Sequence, residues 1–299
     1  MIATSGSRRC HAGAIAMAAA LLASPHYALA YVAAGDRTFP AMILLPQVAP
    51  ADELYVTPTT EPISAGRSTD LAVNFAKTLT ERLGVRFEES YTWLGRDGAS
   101  TLTGWQNLQV ITQYLAVLEP AHEALLTLGV NREWGDTGTR RIGASPKGAT
   151  TPTVYFAKGM GDLDLDYLRP FAVTGNIGYQ FADAPPRPDN LLTGIAIEYS
   201  IPYLQSKVRS FDLPDILRAM TPLVETFVTT ATRNRGGNRT SAAFGPGFDY
   251  AGEGWEFLME AIIPAGRPTG RGVGVAAQFN LSLDYFFPDT IGRPLFSGR

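Results

Sequence analysis

The chain has 299 residues, with 25 Lys and Arg against 28 Asp and Glu, a formal charge of −3. That acidic balance argues against nucleic acid as a partner. One cysteine and three histidines exclude a His-rich metal centre by count, and the mean hydropathy of −0.01 suits strands with one apolar and one polar face.

The first thirty residues have the form of a secretory signal peptide. Arg8 and Arg9 supply the positive start, Ala12 to Ala23 the apolar core, and Ala28-Leu29-Ala30 a small-x-small cleavage site. Cleavage before Tyr31 removes Cys10, His11 and His26, leaving His122 as the one histidine. It also takes the charge from −3 to −5, since two arginines and no acids are lost. Cys10 precedes the apolar core rather than following it, which argues against a lipoprotein anchor. No later segment offers the roughly 18 uninterrupted apolar residues of a transmembrane helix.

Residues 31–52 form a lead-in holding a proline-bracketed apolar piece, Phe39-Pro-Ala-Met-Ile-Leu-Leu-Pro46. Three placements fit it: inside a barrel lumen, across the periplasmic end, or free as an arm.

From Glu53 onward, apolar and polar residues alternate with a period of two, the mark of a strand with two unlike faces. Twelve strands are expected, at 54–62, 68–81, 84–94, 105–118, 123–134, 150–160, 169–181, 190–205, 219–232, 241–251, 255–264 and 272–287. The last alternates over sixteen residues, with Val273, Val275, Ala277, Phe279, Leu281, Leu283, Tyr285 and Phe287 on one parity. Soluble strands average about 5–6 residues, whereas a tilted strand crossing a bilayer needs roughly 9–11. A soluble sandwich also alternates, but with short strands. Length, number and the export signal together predict an all-β fold, an antiparallel transmembrane β-barrel of about 12 strands spanning residues 53–287.

Loops rich in Gly, Pro, Asp and Arg are expected at 95–104, 135–149, 182–189, 233–240 and 265–271, with shorter links between. Long loops outside and short turns in the periplasm are the habit of bacterial barrels. The longer link around Phe211 to Met220 suggests a short helix after Pro214. Trp93, Trp105 and Trp134 fall at outer strand ends, and Tyr199, Tyr203, Tyr250, Trp255, Tyr285 and Phe287 at inner ones, as two aromatic girdles would. Residues 288–299 follow Pro288 as a periplasmic tail, either a strap or a partial plug.

Two charges break the pattern. Lys77 and Glu89 fall on apolar faces, and a tight turn at Leu83 would set them opposite each other as a cross-strand pair; a β-bulge turning one inward is the alternative.

Parity places Arg86, Glu88, Glu123, Glu133, Lys158, Glu198, Glu225, Asp249, Glu256, Glu260 and Asp284 toward the lumen. An interior of carboxylates, amides and glycines implies water inside and favours cations or neutral polar solutes. Alternatively these groups pair and fill a narrow bore, since eight strands just fill with side chains and sixteen leave a channel.

Catalytic signals are few. His122 sits in a turn, Glu119-Pro-Ala-His-Glu123, without a nucleophile beside it in sequence. Gly272-Val-Gly274 opens a strand rather than a helix, unlike a nucleotide loop. Asp162, Asp164 and Asp166 alternate, but lack the Gly and terminal Glu of a calcium loop. No enzyme, cofactor or metal is expected.

The segments Arg37-Thr-Phe-Pro-Ala41, Ala51-Asp-Glu53, Leu83-Gly-Val with Glu88-Glu89, His122-Glu-Ala-Leu125, Glu133-Trp-Gly135, Gly159-Met-Gly-Asp162 and Leu168-Arg-Pro-Phe-Ala172 carry a resemblance. In their order the chain resembles a family of proteobacterial outer-membrane proteins assigned to the meta-pathway of phenol degradation. The resemblance implies passage of aromatic or other small organic molecules across the outer membrane, and carries over no catalytic residue. The expectation is a passive outer-membrane channel, with lipid, a small solute and the barrel-insertion machinery as partners. A closed structural or adhesive barrel is the second expectation.

Overall fold

A computed structural model describes residues 32–64, 66–233, 240–265 and 272–296. The expected signal peptide and the loop tips 234–239 and 266–271 lie outside these residues. Among the described residues no helix is long and apolar enough to cross a membrane.

A small hairpin, β1 (Val32–Ala34) and β2 (Arg37–Phe39), precedes the wall. The wall comprises β3 (Glu53–Ile63), β4 (Gly66–Thr78), β5 (Leu83–Arg96), β6 (Ala99–Trp105), β7 (Gln109–Glu119), β8 (Ala124–Glu133), β9 (Ala149–Gly159) and β10 (Phe171–Ala182). It continues through β11 (Asn190–Tyr199), β12 (Met220–Ala231), β13 (Thr240–Ala251), β14 (Trp255–Ala265) and β15 (Gly274–Ser282). Sequential neighbours pair antiparallel, and β15 returns to β3 with Ser282 opposite Glu53 and Val275 opposite Thr60. That pairing closes the sheet, as a lipid environment demands because unpaired backbone groups find no water there; β6, at the opposite end from the start of β3, pairs on one side with β5.

β6 and β7 act as one interrupted stave, so the barrel has twelve. β6 pairs with the later half of β5 and β7 with its earlier half. The expected continuous strand 105–118 therefore breaks at residues 106–108. There the Gln106 amide donates to Ser90 O at 2.8 Å, and the loop after β8 covers the gap through Thr139, whose amide donates to Trp105 O at 2.7 Å. The expected loop at 95–104 is instead a hairpin. Asp97-Gly98 turns the chain, with Gly98 at φ +71°, a conformation glycine adopts at no steric cost.

The end at which β3 begins is called the near end, and the opposite one the far end. The periodicity overran two strands at the near end. β11 stops at Tyr199, where Pro202 and a cap by Ser200 start a helical turn, and β15 stops at Ser282, where Leu283–Phe286 turns helical. A helical turn can continue an apolar–polar alternation for a few residues, so parity alone does not mark the end. The helix after Pro214 forms as expected, at Asp215–Arg218.

The outward face is apolar. Ile177, Ile195, Ile197, Val224 and Phe279 all lie on it, each more than two-fifths exposed, as a lipid-facing band requires. Aromatics gather at its two rims. Tyr91 stands edge-on to Trp93 and Trp105 at the far end, centroids 4.7 and 5.0 Å apart. Phe171 packs on Tyr199, and Trp255 lies beside Tyr250 and Phe279, toward the near end. Tyr203 is not part of this rim: it is buried inside, with the Arg37 guanidinium 4.1 Å over its ring.

Lys77 and Glu89 do not meet. Lys77 lies opposite Val85 and Glu89 opposite Val73, because the turn after β4 runs from Leu79 to Arg82 rather than reversing tightly at Leu83. Lys77 is buried at the near end, bonded to Asp52 and donating to Arg293 O at 2.8 Å. The same region anchors the tail, with the Phe296 amide on Leu79 O at 2.8 Å.

Candidate functional site: the barrel interior

Inward side chains alternate with the outward band along every stave, so the polar parity forms the lining. Glu198, Glu225, Asp249, Glu256 and Glu260 are buried on adjacent strands β11 to β14. Arg86 is buried on β5 and Glu88 half-buried beside it. Glu123 is buried just before β8, in a left-handed conformation at φ 48° that ends a turn of 3-10 helix. Glu133 lies toward the far end, where Arg187 donates to it at 2.8 Å and Asn107 at 2.8 Å. Asp284 sits beyond the end of β15 in the helical turn, half-buried beside Ser282.

Lys158 does not face inward. It falls on the outward parity of β9 next to the near end, and its ammonium reaches back to His122 O at 2.7 Å and to the Asp162 carboxylate at 2.9 and 3.0 Å. A long aliphatic stem lets an outward lysine carry its charge to the rim. That contact holds the Asp162 carboxyl below the ordinary range, chiefly through the hydrogen bond from Lys158. His122 is largely exposed, its Nδ1 3.4 Å from Asp162. Among the described residues no three His, Cys, Asp or Glu side chains converge in a way that would hold a metal ion.

The lead-in runs through the interior. Arg37 is fully buried and works as an anchor. It donates to Pro170 O at 3.0 Å, to Arg169 O at 2.5 Å and to Glu123 at 3.4 Å. Glu123 in turn accepts from Tyr203 Oη at 2.8 Å and from the Gly161 amide at 3.0 Å. Arg37 and Glu123 thus partner each other, which is what makes their burial tolerable.

Beyond this anchor the apolar piece Ala41–Pro46 crosses the bore. Glu225 accepts the Ile43 amide at 2.8 Å and the Leu45 amide at 2.6 Å. Gln47 donates to Glu53 at 2.8 Å, and Gln113 donates to Gln47 O at 2.7 Å. Two wall glycines make room for it. A Cβ at Gly245 would lie 2.8 Å from Leu44 Cδ1, and one at Gly194 would lie 2.9 Å from Leu45 Cγ. Met42 and Leu45 pack on Ala196 and Leu223, with Leu44 alongside. No sequence signal pointed to Glu225 as the clasp; the proline bracket around 40–46 pointed only to a compact segment.

The interior is unevenly charged. Among the described residues nine Asp and Glu are buried against three Lys and Arg. The carboxylates concentrate on the wall from β11 to β14, while the opposite wall carries amides, threonines, tyrosines and Arg86. Between the lead-in and the far end lies a cavity of about 530 Å³, floored by Met42–Gln47 and walled by that amide side.

No family model matches the sequence, and no curated protein is similar enough in sequence to match it. Solved structures do match. An outer membrane channel from Pseudomonas putida F1 superposes with a TM-score of 0.54 at 10% identity, covering 82% of this chain and 99% of that one. The NanC porin superposes with a TM-score of 0.50 at 9% identity, covering 77% and 98%. The KdgM porin, solved in complex with disordered oligogalacturonate, gives 0.47 at 11% identity over 77% and 98%. At these identities the likeness is one of fold: a closed antiparallel outer-membrane barrel.

Proposed function

We propose that this chain is a bacterial outer-membrane channel for passive passage of small solutes, exported by its first thirty residues and gated by its own lead-in. One observation carries the reading. The bore is lined with polar side chains, and its obstruction is the lead-in itself, packed against the near half of the wall, with a cavity of about 530 Å³ left open above residues 42–47. That segment is held by a few hydrogen bonds to Glu225, Glu53 and Gln113, contacts that can be exchanged for water.

The lumen-lining set is Arg86, Glu88, Glu123, Glu198, Glu225, Asp249, Glu256, Glu260 and Asp284, and its acidic excess favours cations or neutral solutes over anions. Aromatic or apolar organic compounds are the solutes that the family resemblance supports. The far end faces outside, and the near end, with its tail strap, faces the periplasm. Lipid surrounds the outward band, and the barrel-insertion machinery handles the chain during assembly.

The test is single-channel conductance of the refolded mature chain in a planar bilayer under a salt gradient. Discrete steps with cation preference, weakened by Glu198→Gln and Glu225→Gln, are expected. Silence across many insertions, together with silence after deletion of residues 32–50, would sink the channel. It would favour the second reading, a closed structural barrel, for which the occupied bore is the supporting observation.

A further inference from the structure

The cavity above the lead-in has the composition of a binding site. Its floor is apolar, from Met42 to Pro46. Its walls carry Asn74, Asn176 and Gln278, each more than nine-tenths buried. Asn74 Oδ1, Asn176 Oδ1 and Gln278 Nε2 have no hydrogen-bond partner among the described residues, nor does Arg86 Nε on the same wall. Buried polar atoms are nearly always paired, so a cluster of unpaired ones around one cavity marks a place where a ligand supplies the missing bonds.

The chemistry of the lining selects the ligand. Amides offer both donors and acceptors without a net charge. The one guanidinium faces Glu53 and Glu88, so its charge is answered by the protein itself; the other carboxylate of the lining, Glu61, is partly exposed toward the far end. At the buried amides a charged ligand would shed its hydration without gaining a buried counter-ion, whereas a neutral one sheds less. The floor adds an apolar surface on which a flat or ring-shaped face can lie. About 530 Å³ falls within the roughly 300–1,000 Å³ of small-molecule sites.

We propose that this cavity binds a small uncharged molecule that has an apolar face and carries both hydrogen-bond donors and acceptors. The channel reading enters only in making this the place where a passing solute pauses; binding itself does not require passage.

Three water-soluble probes of nearly equal size test the class: nicotinamide, neutral, with an amide; nicotinate, its anion; and 3-picolylamine, its cation. Calorimetry on the refolded mature chain in detergent reads their affinities. Nicotinamide is expected to bind about tenfold or more tighter than either ion. Asn176→Asp keeps the side chain's shape but adds a charge, and should reverse the preference toward 3-picolylamine. Asn74→Asp does the same from another strand, should the first variant fail to fold. Heat-dependent gel mobility checks folding in each case. Equal affinity for all three probes, or a preference unchanged in both folded variants, would overturn the site. Binding with a silent bilayer would overturn the channel and leave the site standing; conductance without nicotinamide binding would do the reverse.

Discussion

The Leu45 amide sits 2.6 Å from one carboxylate oxygen of Glu225. With the Ile43 amide on the other oxygen at 2.8 Å, one carboxylate clasps the segment at two points. Hydrogen bonds to charged groups contribute about 1.5–3 kcal/mol each. Glu225→Ala should therefore loosen the segment without disturbing the wall ladder. The expected result is a higher conductance or open probability than wild type in a planar bilayer. An unchanged trace would mean that the clasp does not limit passage.

Arg37 joins the lead-in to three backbone carbonyls and to Glu123, beneath no solvent. Arg37→Met removes the charge and leaves Glu123 buried without its cation. Breaking a buried pair from one side costs about 3–5 kcal/mol. The urea midpoint should fall accordingly, and the segment around 32–39 should become open to protease. The double change Arg37→Met with Glu123→Gln should recover a substantial part of the loss. If the double variant is no better than the single, the pairing is not what stabilises the anchor.

Val224 lies on the outward face of β12, in mid-strand, 46% exposed. Val224→Arg places a charge in the lipid band and should cost about 2–4 kcal/mol in a bilayer. The same change at Trp93, at the far rim, should cost less. Unfolding in urea from lipid vesicles measures both, and equal costs would count against the membrane placement of the band.

Asp183, just past the end of β10, receives two hydrogen bonds from Arg132, each 2.6 Å long. These chiefly hold its carboxyl below the ordinary range. A lowered folded-state value means stability that is present above the ordinary Asp value of about 3.9 and lost as pH falls through the lowered one. The pair faces solvent, so it contributes no more than about 1 kcal/mol. Asp183→Asn should thus lower the unfolding midpoint slightly at neutral pH, and the gap to wild type should close on acidification below that value.

The wall was legible because a strand with an apolar outward face and a polar inward one repeats every two residues. Val224 and Glu225, or Ile197 and Glu198, reveal the two faces without any tertiary information. The strand ends were less legible. Ser200-Ile-Pro and Ser282-Leu-Asp keep an alternating look while the backbone turns helical, and capping geometry rather than hydropathy decides. Lys158 was misplaced because a long side chain reports the position of its charge, not the face of its Cα. The path of residues 40–47 was hidden because it depends on distant partners: Glu225, Gly194 and Gly245 lie about 150 to 200 positions away along the chain and become neighbours of that segment only through the tertiary fold.

The closing pair, β3 with β15, joins residues more than two hundred positions apart, while every other wall pairing is between consecutive staves, β6 and β7 counting as one. Closing so long a loop is slow, because its entropy is lost before any contact rewards it. The lead-in directly precedes β3, so it is tethered at the very seam that forms last. It can therefore serve assembly as well as gating: a mandrel around which the acidic staves β11 to β14 gather before the ring is shut. On that view Glu225 takes hold of residues 43 and 45 while the wall is still an open sheet. The seal is then the remnant of a folding intermediate, retained in the finished protein as a movable part.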